Sequence, residues 1–328
     1  MRAIFQTTFL ALLVTVLFTA CVGNNNATVD TTTPPDYQLS LAQWSLHRSF
    51  FGDIGNDWAW FGRMLQTSPD SLLRGELDPM DFPQIAAERY DIHTIELVNT
   101  FYFSKSTDMD YWQRFKAKCD SFGVQVGLIM CDALGDLGDA DEAARQQTVK
   151  NHHAWVDIAN MLGAHSIRVN AAGTGTPEEV AANAANGLKE LAAYAATKNI
   201  QVIVENHGGY SSNGKWLAGV MQAVNRDNVG TLPDFGNFCI TRSSEGCTEA
   251  YDRYQGMTEL MPYAKGVSAK SHDFDADGNE IHTDFQRMIG IVKDAGFKGF
   301  IGIEYEGSEL SEDEGIRKTI ALLKRVLE

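Results

Sequence analysis

From residue 37 onward the chain alternates short apolar runs with longer amphipathic stretches, and it does so eight times. The runs fall at 39–44, 94–98, 124–130, 166–170, 200–204, 229–232, 266–269 and 300–303. Most are rich in Val, Ile and Leu and too short for helices, as expected of strands buried on both faces. The run at 266 carries the weakest signal. Between the runs lie helical patterns. Leu188, Leu191, Ala192 and Ala195 recur at i, i+3, i+4 and i+7 as one apolar stripe, and Met288, Ile291 and Val292 follow the same rule. Pro177 followed by Glu178 and Glu179 is a helix start, with proline early and acids in the first turn. Turn residues such as Gly123, Gly163, Asn199, Asn228 and Gly296 precede the strands. Helix, turn and buried strand in repetition predict parallel βα units. Eight units in one domain predict closure into a (β/α)₈ TIM barrel over 37–328. The rival is an open doubly wound sheet, and the lack of G-x-G-x-x-G after the first run counts against it.

The first unit breaks the pattern. Its strand ends near Trp44, yet the next convincing helix begins near Asp81. The insert contains Asp57, Trp58, Ala59, Trp60, Phe61 and Gly62. Loops of this length are usually functional or disordered, and in a barrel this one overhangs the C-terminal face, where active sites form. Trp58 suits stacking on a sugar; alternatively Trp58 and Phe61 only pin the loop.

Residues 1–20 read as a secretory signal: Arg2, an apolar run over 9–18, then Thr19 and Ala20. Cys21 follows as in a bacterial lipobox, with Phe18 where Leu is usual, which predicts lipidation at Cys21, export, and anchoring at the periplasm or cell surface; the alternative is an ordinary signal peptide with a chance cysteine. The only expected membrane contact is that lipid. Residues 21–36, with Asn24, Asn25, Asn26 and Pro34, Pro35, lack apolar pattern and read as a tether. A formal charge of −16 argues against nucleic acid as a partner. Cys119, Cys131, Cys239 and Cys247 form no C-x-x-C motif. Cys239 and Cys247 are near enough to pair outside the cytoplasm, or to remain free thiols.

In a barrel the chemistry sits where strands end. The fifth run ends in Glu205, Asn206, His207; the sixth in Asp234; the seventh passes Ser268 and Lys270 to His272; the eighth ends in Glu304. The spacings Glu205 to Asp234, Asp234 to His272 and His272 to Glu304 are 29, 38 and 32 residues, each about one βα unit. All four side chains are therefore expected to converge at one rim. Charge placed directly after a buried strand is costly unless paired or metal-bound. Two Glu, one Asp and one His suit a single divalent ion: Mn²⁺, Mg²⁺, Co²⁺ or Zn²⁺. Other strand ends offer substrate contacts: Gln43, His47, Glu96, Asp132, Arg168 and Asn170, with Glu96 and Arg168 alternatively forming an ion pair inside the barrel. His93, His152, His153 and His165 fall on helical or strand-entry positions and read as structural.

These motifs resemble the xylose isomerase-like barrels, the sugar phosphate isomerases/epimerases, whose relatives include ketose 3-epimerases, inosose dehydratase and endonuclease IV. The resemblance covers about 38–327 and is strongest from Ile200 onward. It implies one metal held by Glu205, Asp234, His272 and Glu304, with Glu205 and Glu304 also moving protons. This chain departs from the family at two places. The family often has H-x-K-D, and Ser268 stands at that histidine's place, so His272 folds back or water or His207 completes the shell. The epimerases tend to carry His three residues after the strand-six Asp, where this chain has Asn237. The many histidines of endonuclease IV are absent.

The resemblance implies a metal-dependent sugar isomerase or epimerase that abstracts a proton beside a carbonyl and passes through an enediolate. Lys270 would steady the oxyanion, and His47, His207, Lys270, Asn170, Glu96 and Trp58 would contact the sugar. Export favours non-phosphorylated sugars or glycosides as the small-molecule partner. The alternatives are a keto-glycoside lyase, which shares the first step and then expels the group at C1, and a non-catalytic sugar-binding lipoprotein.

Overall fold

Each of the eight apolar runs is a strand, and the eight form one parallel sheet. The computed structural model describes residues 36–52 and 57–328; the signal, Cys21 and all but the last residue of the tether lie outside the described residues. The strands are β1 (Tyr37–Ala42), β2 (Thr94–Val98), β3 (Gln125–Met130), β4 (Ser166–Val169), β5 (Gln201–Glu205) and β6 (Val229–Leu232). A hairpin of β7 (Cys239–Ser243) and β8 (Gly246–Ala250) intervenes before β9 (Val267–Ser271) and β10 (Gly299–Tyr305). The strand order is β6-β5-β4-β3-β2-β1-β10-β9, so the first and last units pair and the sheet curls into a barrel. The seam between β9 and β6 is thin. It is closed by isolated bridges at Thr231–Ala264 and Asp234–Ser268, with Phe235 N donating to Ser268 O at 3.0 Å and Ser268 N to Pro233 O at 2.9 Å.

Helices surround the strands: α1 (His47–Phe51), α2 (Trp58–Thr67), α3 (Phe82–Tyr90), α4 (Met109–Ser121), α5 (Glu142–Leu162), α6 (Pro177–Ala196), α7 (Gly214–Val224), α8 (Arg253–Leu260), α9 (Phe285–Asp294) and α10 (Glu312–Leu327). The stripe read on α6 is the buried one, with Leu188, Leu191, Ala192 and Ala195 fully enclosed. Thr176 and Glu179 close a capping box at its start, and Ser311 and Glu314 do the same for α10. No helix among the described residues is long and apolar enough to cross a membrane.

Two features differ from expectation. The described part of the insert after β1 is not a loop but largely helical: α1, α2 and short 3₁₀ turns. Its aromatic residues hold it down, because Phe51 stacks on Phe101 at 4.4 Å and meets Phe61 edge-on at 5.2 Å. Asp57 caps α2 by accepting from Trp60 N at 2.7 Å. The β7–β8 hairpin is the second feature. Cys239 and Cys247 are joined across it as a disulfide with Cα atoms 5.8 Å apart, which resolves the pairing left open by sequence. Cys119 and Cys131 are buried free thiols.

Candidate active site

Glu205, Asp234 and Glu304 converge. One carboxylate oxygen from each lies within 4.8 Å of the others, and the residues are 1%, 0% and 4% exposed. β5 and β10 each deliver their Glu near the strand's C-terminal end, and Asp234 follows β6 at the seam. Asn206 locks the ends of β5 and β6 together: its side chain accepts from Asp234 N at 2.7 Å and donates to Asp234 O at 3.0 Å. Asp234 Oδ1 accepts the backbone N–H groups of Gly236 and Asn237, both at 2.8 Å. Asn237, where the epimerases tend to have His, donates to Glu205 Oε1 at 3.0 Å.

Ser268 sits between two of the carboxylates. Its hydroxyl lies 2.6 Å from Asp234 Oδ2 and 2.9 Å from Glu304 Oε2. One hydroxyl proton cannot serve both acceptors at once, so one of these contacts lacks a proton, and the carboxylates around the trio, Asp132 and Glu306 included, outnumber the cations Arg168 and Lys270. Burial, the largest cause, pushes the carboxyls of Glu205 and Asp234 each up to about 7; Arg168 opposes the rise at Glu205 and Lys270 at Asp234, while the neighbouring carboxylates add to it. Among the described residues, Arg168 and Lys270 are the Lys and Arg side chains paired with the trio, and both also bond a second carboxylate. Arg168 bonds Asp132 at 2.6 Å and places Nε 2.8 Å from Glu205 Oε2. That second contact is not an aligned hydrogen bond, so Glu205 Oε2 keeps unsatisfied lone pairs. Lys270 lies 3.5 Å from Glu304 and 3.2 Å from Glu306. Burial works against the Lys270 charge, yet Glu304 and Glu306 hold its pKa well above the ordinary value. Three buried oxygen donors, one with free lone pairs, fit a hard divalent cation.

His272 is not brought into this group. Its Nε2 lies 3.9 Å from Glu306, and its ring meets His282 edge-on at 6.1 Å. Strand parity put 268, 270 and 272 on one face, but β9 ends at Ser271 and the chain turns away, with Glu280 accepting His272 N at 3.3 Å. The alternative reading, a Glu96–Arg168 ion pair, is not formed either. Arg168 faces Asp132 and Glu205, while Glu96 accepts from Ser40 Oγ at 2.6 Å deeper in the barrel. Burial pushes the Glu96 carboxyl up to about 8, against the Ser40 bond. Gly302 makes room for it: a Cβ there would come within 2.7 Å of the Glu96 oxygens. His152 is buried with Nδ1 against Thr148 O, and His165 stacks on Phe300, as structural histidines do.

The trio's Glu304 faces a cavity of about 560 Å³. Asp132, Arg168, His207, Glu304 and Glu306 form its polar side, with His47 at its edge; Trp44, Trp58, Phe61, Leu65, Val98 and Met130 form its apolar side. His47 stacks on Trp44 at 4.9 Å. Asn170 stands behind, donating to Asp132 at 2.8 Å. Burial opposes ionisation of Asp132, but Arg168 and then His207 hold its carboxyl down to about 2. Glu306 was not singled out from sequence. The signal was present, because residues two apart on a strand share a face and Glu306 follows Glu304 by two.

Among solved structures the chain is similar to D-allulose 3-epimerase from Methylomonas sp., at 16% identity over 89% of this chain and 99% of that one, with a TM-score of 0.61. It is also similar to the IOLI protein with a bound zinc atom, at 13% identity over 88% and 98%, TM-score 0.62. A third is 3-keto-D-glucoside 4-epimerase from E. coli, at 13% identity over 76% and 94%, TM-score 0.59. No curated protein matches the sequence. The profile of one family matches residues 85–326, from α3 to the end of α10. Barrel, strand-end carboxylates and profile agree: the chain belongs to the xylose isomerase-like TIM barrel family.

Proposed function

We propose that the chain is a divalent-metal-dependent sugar isomerase or epimerase that acts on non-phosphorylated sugars by removing a proton beside a carbonyl. The observation that carries this reading is the pair Glu205 and Glu304: two buried carboxylates, on non-adjacent strands, in one site. Glu205, Asp234 and Glu304 would hold the ion, which would supply Lewis-acid polarisation of a carbonyl and its neighbouring hydroxyl. Glu205 and Glu304 reach the site from different strands, so one can take a proton and the other return one. Lys270, kept charged behind Glu304 and Glu306, offsets negative charge gathering in the site. Arg168 orients Glu205 from behind and fixes Asp132 at the cavity wall.

Arg168 is the one Lys or Arg among the described residues lining the cavity, and it is already paired. That arrangement favours an uncharged sugar over a phosphorylated one. It accords with the expectation of an exported chain anchored at Cys21, which would meet free sugars and glycosides. Elimination from a keto-glycoside is the second reading, since it begins with the same proton removal. Incubating the protein and Mn²⁺ in deuterated water with ketoses and with 3-keto-glycosides tests both. Deuterium entering recovered sugar supports epimerisation or isomerisation; release of the C1 substituent supports elimination. Neither event on any sugar, with any of the four metals, would sink the acid–base reading and leave a binding protein.

Chelation supplies a further test. Without an ion, the folded chain holds protons on Glu205 and Asp234 up to about pH 7, whereas the unfolded chain releases them near about 4. Stability from this source is full below the unfolded value and is lost as pH rises through about 7. A bound ion takes over from those protons. The melting-temperature gap between Mn²⁺-loaded and chelated protein is therefore expected to widen from about pH 5 to about pH 8. A gap that stays flat across that range would show that these carboxylates do not hold the ion.

A further inference from the structure

One wall of the cavity has no part in the acid–base chemistry. It is built by α2, whose Trp58, Phe61, Gly62 and Leu65 follow the i, i+3, i+4, i+7 spacing of a single helical stripe and all face the cavity. Phe61 and Leu65 are buried by packing on the barrel, but Trp58 is 56% exposed. A large apolar ring thus stands in solvent at the cavity wall, edge-on to Phe61 at 5.7 Å.

Gly62 is the second anomaly. Within a helix glycine is the poorest choice after proline. No described residue requires it here, since a Cβ built on Gly62 meets none of their atoms within 4 Å. The missing side chain instead leaves room on the cavity-facing stripe, next to Trp58 and Phe61. The cavity volume of about 560 Å³ also lies in the range that accepts drug-sized molecules, more than one hexose ring fills.

We propose that this stripe is an aglycone subsite. The sugar ring sits at the carboxylates, and a flat aromatic group attached to it lies over Gly62 against Trp58 and Phe61. The substrate is then an aryl glycoside rather than a free monosaccharide. Aromatic rings in edge-to-face or offset-stacked arrangement gain beyond the area they bury, and Trp58 has an exposed face to give. The inference rests on the sugar reading of the site and names the class of sugar it takes.

The test compares methyl and phenyl 3-keto-glucosides with the full-length protein and Mn²⁺, and measures binding of the unoxidised methyl and phenyl glucosides by calorimetry. The phenyl compounds are expected to have kcat/KM higher, and Kd lower, by about tenfold or more. Gly62→Leu, which fills the space, and Trp58→Ala, which removes the ring, should each bring that ratio towards one. Gly62→Leu should melt no lower than the parent, because its side chain enters open space and leucine is the better helix former; this separates filling from misfolding. Equal values for methyl and phenyl compounds, with sugar turned over, overturn the subsite and leave the sugar reading standing. Phenyl-selective binding that Gly62→Leu abolishes, without turnover of any sugar, supports the subsite and sinks the acid–base reading. Binding of neither glucoside overturns the subsite.

Discussion

Glu205→Gln and Glu304→Gln are each expected to lower turnover by about 10²–10⁴-fold, the usual contribution of a positioned acid or base. Glutamine keeps the shape and one oxygen of glutamate but cannot take a proton, so the two variants separate chemistry from architecture. Glu205 accepts from Asn237 through one oxygen and meets Arg168 with the other, and an amide preserves part of that contact. Metal content measured by mass spectrometry on the same samples decides the interpretation. Lost turnover with the ion retained assigns proton transfer to the residue. Loss of both together reduces it to a ligand. Full turnover in either variant removes the two-carboxylate mechanism. In deuterated water, a variant that still exchanges one proton without completing the reaction identifies which carboxylate works first.

Arg168→Met should destabilise the chain by about 3–5 kcal/mol, the cost of breaking a buried pair by removing one partner. Arg168 is 3% exposed and spans Asp132 and Glu205. Burial disfavours its charge, and those two carboxylates hold its pKa above the ordinary value nonetheless. Without it, Glu205 has lost its nearest cation in a site already short of positive charge. Arg168→Lys should not restore stability, because a single ammonium cannot reproduce the planar fork that reaches both partners. Urea unfolding of Arg168→Met, Asp132→Asn and the double variant isolates the coupling. The double variant should lose less than the sum, since one carboxylate is neutralised with its cation. Additive losses would show that Arg168 acts chiefly through Glu205.

The parts of the molecule visible in the sequence are those set by short-range pattern. Buried parallel strands leave dense apolar runs, so all eight were placed, including the run at 266, which became β9. Glu205, Asp234 and Glu304 were found because each ends an apolar run with a carboxylate. What escaped depends on where the chain turns. His272 keeps the parity of Ser268 and Lys270, but the strand stops one residue earlier. The β7–β8 hairpin is mostly polar and exposed, so it carries no apolar signature. Helix α2 was read as loop because its aromatic residues look like a binding surface as readily as a buried stripe, and Gly62 interrupts the pattern. The Arg168 partners were missed because pairing across a barrel is decided by register between strands, which no local spacing records.

The seam gives the site a mechanical role. Between β9 and β6 the ladder is reduced to isolated bridges, and one of them is Asp234–Ser268. The same two residues meet through their side chains at the carboxylate trio. Anything that grips Glu205, Asp234 and Glu304 therefore straddles the joint, with β5 and β6 on one bank and β10 on the other. An occupant held by all three carboxylates would tie the two banks together. Such an occupant would act as the rivet of that joint.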